Sequence, residues 1–188
     1  MAMTLAADVR RLVLAFTPRS ARDEESRRDF FTYFPDDLGP VRRDDGPRHA
    51  TASAFVFDGT LTQTLLVFHG KGRFWVQPGG HLEDDDASIA DAALRELREE
   101  TGVTASVAEP IVYDLDHHAL SSAFGRCLSH LDIGVAVVVG AHEPVTVSAE
   151  SEDVRWWPVD DLPLDVPEGF VRRLRALLDP LRQAMLAP

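Results

Sequence analysis

A single cysteine, Cys127, occurs among the 188 residues. With no second thiol in the chain an internal disulfide is excluded, and with it the small secreted folds that replace a core by cross-links. Long apolar runs are missing too. The longest, Ile133–Val139, has the length of a strand and falls far short of the ~20 residues needed to span a bilayer, so no membrane partner is expected. Basic residues are scarce: 19 Lys+Arg face 31 Asp+Glu, a formal net charge of -12. So acidic a chain does not suit the phosphate backbone of long nucleic acid. It leaves a small phosphorylated substrate open, because a bound cation inverts the local field. The segment MAMTLAADVRRLVLAF has no basic stretch followed by a continuous apolar one. No signal peptide is therefore expected, and the expected location is cytoplasmic.

What is present is an ordinary globular composition, 45% apolar and 27% charged, with enough length to bury a core. Leu5, Val9, Leu12, Val13 and Phe16 recur at helical spacing, and a second short helix is predicted from Ala21 to Tyr33. The aperiodic, Pro/Gly/Asp/Arg-rich stretch from Pro35 to Arg48 reads as a linker. Two strands follow around Asp58-Gly59, then a stub at Phe74–Val76 closed by Pro78-Gly79-Gly80. A helix is predicted over Asp86–Thr101, with Ser88 to Asp91 resembling a capping box and Gly102 at its C-terminus. Val107–His118, Leu128–Val139 and Val154–Pro158 read as strands. A last amphipathic helix starts near Pro167 and is kinked or ended by Pro180. The mixture, without regular βαβ units, predicts an α/β sandwich with a mixed sheet. Residues 1–48 form a helical extension and linker, and residues 49–188 the main domain.

The chemistry concentrates in GGHLEDDDASIADAALRELREETGV, Gly79 to Val103. On a helical wheel Glu99 and Glu100 lie about 60° to one side and 40° to the other of Glu96, so the three carboxylates share a face. Ile89, Ala92 and Ala93 lie on the same stripe one or two turns earlier, so the acids point along the protein-facing side. Like charges at such spacing repel, and protons, basic side chains or a metal must neutralise them. Clustered oxygen ligands suit a hard cation such as Mg²⁺. A solvated acidic face beside arginines is the alternative.

Gly79-Gly80 followed by Arg95-Glu96-Leu97-Arg98-Glu99-Glu100-Thr101-Gly102-Val103 closely resembles the box of the Nudix hydrolase family. The second half fits that pattern at every specified position. In the first half Asp86 stands where the family has Glu, and one extra residue precedes Arg95; Glu83 is another contributor to consider. Trp75 to Gly80 and Glu150 to Trp156 resemble the family's flanking segments. The resemblance implies an α/β/α sandwich and hydrolysis of a nucleoside diphosphate linked to another group, with Mg²⁺ or Mn²⁺ as cofactor and a nucleotide-like phosphorylated substrate as partner. It implies that Glu96, Glu99 and Glu100 hold metal, with the Gly80 carbonyl and Glu150 (second choice Glu152) completing the shell. Glu99, Glu96 or Glu150 is then the base, and Arg95 orients a carboxylate through a bidentate pair, with a surface pair to Glu99 or Asp91 as the alternative. A noncatalytic Nudix-like nucleotide-binding module is the competing reading, and a metal-dependent isomerase on the same fold a third.

Asp114, Asp116 and His118 alternate along one strand, His130 and Asp132 along the next, His81 follows Gly80, and His49 opens the first strand. These residues could line the substrate pocket (His81, Asp116, His118 and His130), contact phosphate or bind an extra metal. The plainer alternative is edge-strand polarity or satisfied buried histidines. Cys127 reads as structural, since no dedicated base stands near it in sequence. His69 and His142 fall in apparent turns. Trp156 and Trp157 are expected on opposite faces of a strand. Three uses are open to the first 48 residues: covering the pocket, supporting a homodimer, or capping the sheet, the last of which asks least of the sequence.

Overall fold

Strand β1 (Arg48–Asp58) organises the protein. A computed structural model describes residues 3–108, 111–140, 144–147 and 151–186. Around β1 stand β2 (Gln63–His69), β3 (Phe74–Val76), β4 (Gly79–His81), β5 (Tyr113–Ala119), β6 (Ser129–Val139) and β7 (Ser151–Pro158). They form one mixed sheet of order β3-β2-β1-β6-β5, in which β4 also pairs with β1 and β7 with β2. β1 and β6 run parallel in unbroken register from Arg48↔Ser129 to Asp58↔Val139. On its other side β1 is shared: its C-terminal part pairs with β2 and its N-terminal part with β4.

Alternation along β1 assigns the two faces. Ala50, Ala52, Ala54 and Val56 face one way, and their small side chains let α3 (Ile89–Thr101) approach closely through Ile89, Ala92, Ala93 and Leu97. Phe55 and Phe57 face the other way, against Phe170, Leu174, Leu177 and Leu178 of α4 (Phe170–Leu186). The protein is therefore an α/β/α sandwich.

The amino-terminal helices α1 (Leu5–Ala15) and α2 (Ala21–Tyr33) lie on the α3 side and share its core through Val9, Val13, Phe30 and Phe34. Phe30 and Phe34 are wholly buried, each contributing about 1.5–3 kcal/mol by area. α2 guards the edge strand β5: Asp29 pairs with His117 Nδ1 at 2.8 Å, and Arg22 donates to the His117 carbonyl. From α1, buried Asp8 accepts the backbone N–H of Ile89 at 2.8 Å. That places a carboxylate at the N-terminus of α3, where the free N–H groups and the dipole favour it.

The elements depart from the sequence reading at their ends. α3 begins at Ile89 rather than Asp86, because Ser88 is the cap, its side chain accepting the Asp91 N–H, while Asp86 is held in the preceding loop. Gly102 ends the helix at φ 75°, as its position required. β5 starts at Tyr113, not Val107. Gly79–His81 is a strand, which the turn-like Pro-Gly-Gly hid. α4 starts at Phe170 and continues past Pro180 to Leu186, with Arg182 donating to the Leu61 carbonyl at 3.1 Å. Among the described residues no helix is long and apolar enough to cross a membrane.

Candidate active site

The site forms where α3 crosses β4. Capping by Ser88 and Asp8 fixes the start of α3, and its apolar stripe of Ile89, Ala92, Ala93 and Leu97 sets its rotation on the sheet. That rotation grades the exposure of the three glutamates. Glu100 is buried, Glu96 has 13% of its side chain exposed, and Glu99 has 50%. The wheel placed all three on one face; packing turns Glu100 fully inward and leaves Glu99 at the margin.

Glu100 and Glu96 are referred to the same short stretch of chain. Glu100 Oε2 accepts the Gly79 N–H at 3.0 Å. Glu96 lies so close to Gly80 that a Cβ there would fall 2.6 Å from Oε1. A side chain at position 80 would push that carboxylate aside. Glu96 Oε1 and Glu99 Oε2 both accept from Arg95 Nη1, at 2.9 and 3.1 Å.

Arg95 is the hub. Its Nε and Nη2 donate to Oδ1 and Oδ2 of Asp86 at 2.9 and 3.0 Å, and Nη2 also reaches the His81 carbonyl at 2.9 Å. Asp86 accepts in addition the Glu83 N–H at 2.7 Å, so one carboxylate ties the loop to the helix. Hydrogen bonding to Asp86 leads in raising the Arg95 pKa, with burial opposing it and Glu96 adding to the rise. Glu83 comes within 3.8 Å of Arg95. Asp86, Glu96 and Glu99 all face Arg95, and Arg98 Nη2 lies 4.0 Å from Glu99 Oε1. An all-oxygen, multiply anionic donor set is the kind of site that takes a hard divalent cation.

The other candidates fall elsewhere. Glu150 lies outside the described residues, as does His142. Glu152 pairs with Arg73 at 2.6 Å on the surface. His81, Asp116, His118 and His130 belong to the sheet face opposite α3, since His81 registers with Thr51, Asp116 with Asp132 and His118 with His130. Buried Asp116 lies among Arg172 Nη2 (3.2 Å), Arg22 Nη2 (3.8 Å), Arg173 Nη1 (3.9 Å) and His118 Nδ1 (3.0 Å). Burial opposes its ionisation, but His118, Arg173 and Arg22 outweigh that and hold the carboxyl below its usual range. His118 alone of the four keeps more than a third of its side chain exposed. Burial, reinforced by positive neighbours, pushes His81 down to about 4 and His130 down to about 3. Trp156 and Trp157 take opposite faces, Trp157 meeting Trp75 edge-on at 5.3 Å.

Sequence reasoning missed a network on that same face. Arg173 of α4, nearly inaccessible, donates from Nε and Nη2 to Asp114 at 2.7 and 2.9 Å and from Nη2 to Asp132 at 2.7 Å. Asp132 also accepts from Thr51 and Ser53. Gly134 leaves the space: a Cβ there would meet Asp114 at 2.4 Å. Burial works against charge on Arg173, but Asp114 and Asp132 more than offset it and raise its pKa. The alternation of acids was visible in sequence; their cation, 59 and 41 residues away, was not.

Residues 47–178 match the family model described as NUDIX domain. A stretch of 58 residues is 41% identical to Phosphatase NudJ of Escherichia coli (strain K12), covering 30% of this chain and 37% of that protein. The chain thus spans little more than a third of the curated relatives it matches. Among solved structures, a C. elegans Ap4A hydrolase superposes with a TM-score of 0.61 at 16% identity, covering 71% of this chain and 98% of that one. The E. coli dihydroneopterin triphosphate pyrophosphohydrolase gives 0.58 at 14% identity, over 75% and 99%. At such identities the shared property is the fold.

Proposed function

Because the chain belongs to the NUDIX domain family, we propose that it is a hydrolase that cleaves a pyrophosphate bond in a nucleoside diphosphate-linked substrate, with Mg²⁺ or Mn²⁺ as cofactor. The observation that carries this reading is the convergence of Glu96 and Glu100 on Gly79-Gly80, with Glu99 joined to Glu96 through Arg95. Glu96, Glu99 and Glu100 would hold the metal together with the Gly80 carbonyl. Such an ion supplies charge neutralisation for the phosphate oxygens and a water of lowered pKa. Glu99, the most exposed of the three, can reach a ligand oxygen or a water by side-chain rotation alone, and it is our choice for general base. Glu100, held by the Gly79 N–H, fixes the helix against β4. Arg95 is a positioning residue, since its N–H groups are directed at Asp86, Glu96, Glu99 and the His81 carbonyl.

The test is an assay of the full chain against a panel of nucleoside triphosphates, dinucleoside polyphosphates and nucleotide sugars, with Mg²⁺, with Mn²⁺ and with chelator. The expected result is metal-dependent release of a mononucleotide, abolished in Glu99→Gln. Nucleotide binding without turnover of any of them in either metal would instead support the noncatalytic module.

A further inference from the structure

Four side chains far apart in sequence meet at the start of β1 and β6, on the sheet face opposite the three glutamates. They are His49 of β1, His81 of β4, His130 of β6 and Cys127 just before β6, and one ligand atom from each lies within 4.8 Å of all the others. We infer that His49, His81, His130 and Cys127 form a four-ligand site for a borderline-soft divalent metal of the zinc class. It is separate from the carboxylate site and independent of the hydrolytic reading.

The geometry is close to what such an ion needs. Cys127 Sγ lies 3.9 Å from His49 Nε2 and 3.9 Å from His81 Nε2. A tetrahedron built on Zn–S of ~2.3 Å and Zn–N of ~2.0–2.1 Å has N···S edges of about 3.5 Å. These N···S edges need to close by about 0.4 Å, and the widest pair of the four, at up to 4.8 Å, by more. The three rings pack around a common centre, with centroids 5.0 Å apart for His49 and His81, 5.2 Å for His49 and His130, and 5.3 Å for His81 and His130.

The surroundings favour ligation over ordinary hydrogen bonding. His49 is wholly buried, and its Nδ1 donates to the Gly46 carbonyl at 2.8 Å. That bond assigns the proton to Nδ1 and turns the lone pair of Nε2 toward Cys127, the outer-shell arrangement by which metal-binding histidines are oriented. His130 Nε2 is buried and has no hydrogen-bond partner within the described residues, a cost that a metal bond removes. Cys127 is buried as well. Three nitrogens and one thiolate select zinc-like ions over Mg²⁺ and Mn²⁺, which prefer oxygen. Four protein ligands leave no open position, so the site is structural, not catalytic. Its place gives it work: it fastens three-residue β4 to β1 and β6, one residue from Gly80 and at the carbonyl that Arg95 holds.

The experiment uses the untagged full chain, stripped with chelator, reduced, and held in excess Mg²⁺ so that the carboxylates are occupied. Co²⁺ is titrated in. The expected result is one equivalent bound, with the intense visible bands of tetrahedral Co²⁺ and a thiolate-to-metal charge-transfer band, all displaced by Zn²⁺. Cys127→Ser should lose the charge-transfer band. His130→Asn should weaken Zn²⁺ binding more than about 100-fold, since even outer-shell partners are worth 10–100-fold. In the unmutated chain Zn²⁺, unlike Mg²⁺, should raise Tm. Co²⁺ binding without a thiolate band, or no binding at all by the folded unmutated chain, overturns the inference, whatever the hydrolysis assay gives.

Discussion

Asp86 receives both arms of the Arg95 guanidinium, Nε to Oδ1 at 2.9 Å and Nη2 to Oδ2 at 3.0 Å. The pair closes as a bidentate bridge. Arg95→Lys cannot make both bonds at once. It is expected to lower kcat by about 10–100-fold with little change in KM, as for an outer-shell partner, measured by steady-state kinetics on whichever substrate the panel identifies.

Glu99→Gln is expected to lower turnover by at least about 100-fold, in the range of a lost base or ligand. The fold should survive. Glu99 is half-exposed and next to Glu96 across one guanidinium nitrogen, so removing its charge relieves repulsion. Metal-free thermal stability should equal or slightly exceed that of the unmutated chain, while Mn²⁺ affinity by titration calorimetry falls.

Gly80→Ala places a methyl 2.6 Å from Glu96 Oε1. The carboxylate must move. The expected outcome is a chain that folds, with a Tm reduced by a few degrees, and binds Mn²⁺ about tenfold or more weakly. An unchanged Mn²⁺ affinity would remove Glu96 and Gly80 from the ligand set.

Arg173→Met leaves Asp114 and Asp132 buried without their cation. Breaking a buried charge network by deleting one sign costs about 3–5 kcal/mol, to be read from the denaturant midpoint. Asp116→Asn should cost less, about 1–3 kcal/mol, and its effect should depend on pH. The Asp116 carboxyl is held below its usual range, because His118, Arg173 and Arg22 outweigh the opposing effect of burial. The stability that its charge contributes is therefore complete above the unfolded-state value of about 3.9 and is lost as pH falls through the lower folded one. The stability gap between Asp116→Asn and the unmutated chain should be level from pH 5 to 8 and shrink below about pH 4.

Sequence alone exposed what is periodic or local. The β1 and β6 runs, the helix over Ala21–Tyr33, the Ser88 cap and the left-handed Gly102 all follow from alternation, helical spacing or a single residue's conformational preference. The acids of α3 were legible because one helix holds them. Hidden features were those set by pairing between distant strands. Parallel register places His130 beside His49, eighty-one residues apart in sequence, and antiparallel register brings His81 over Thr51. Cys127 seemed isolated for the same reason. Gly79–His81 lacked any strand signature because its pairing, not its composition, makes it one. The first helix looked detached, but Asp8 caps the helix that carries the glutamates.

The most direct measurement is anomalous scattering from a crystal soaked with Mn²⁺ and a non-hydrolysable diphosphate analogue. A manganese peak is expected within bonding distance of carboxylate oxygens from Glu96, Glu99 and Glu100, in contact with the phosphate chain. A bound analogue with no manganese beside those side chains would contradict it.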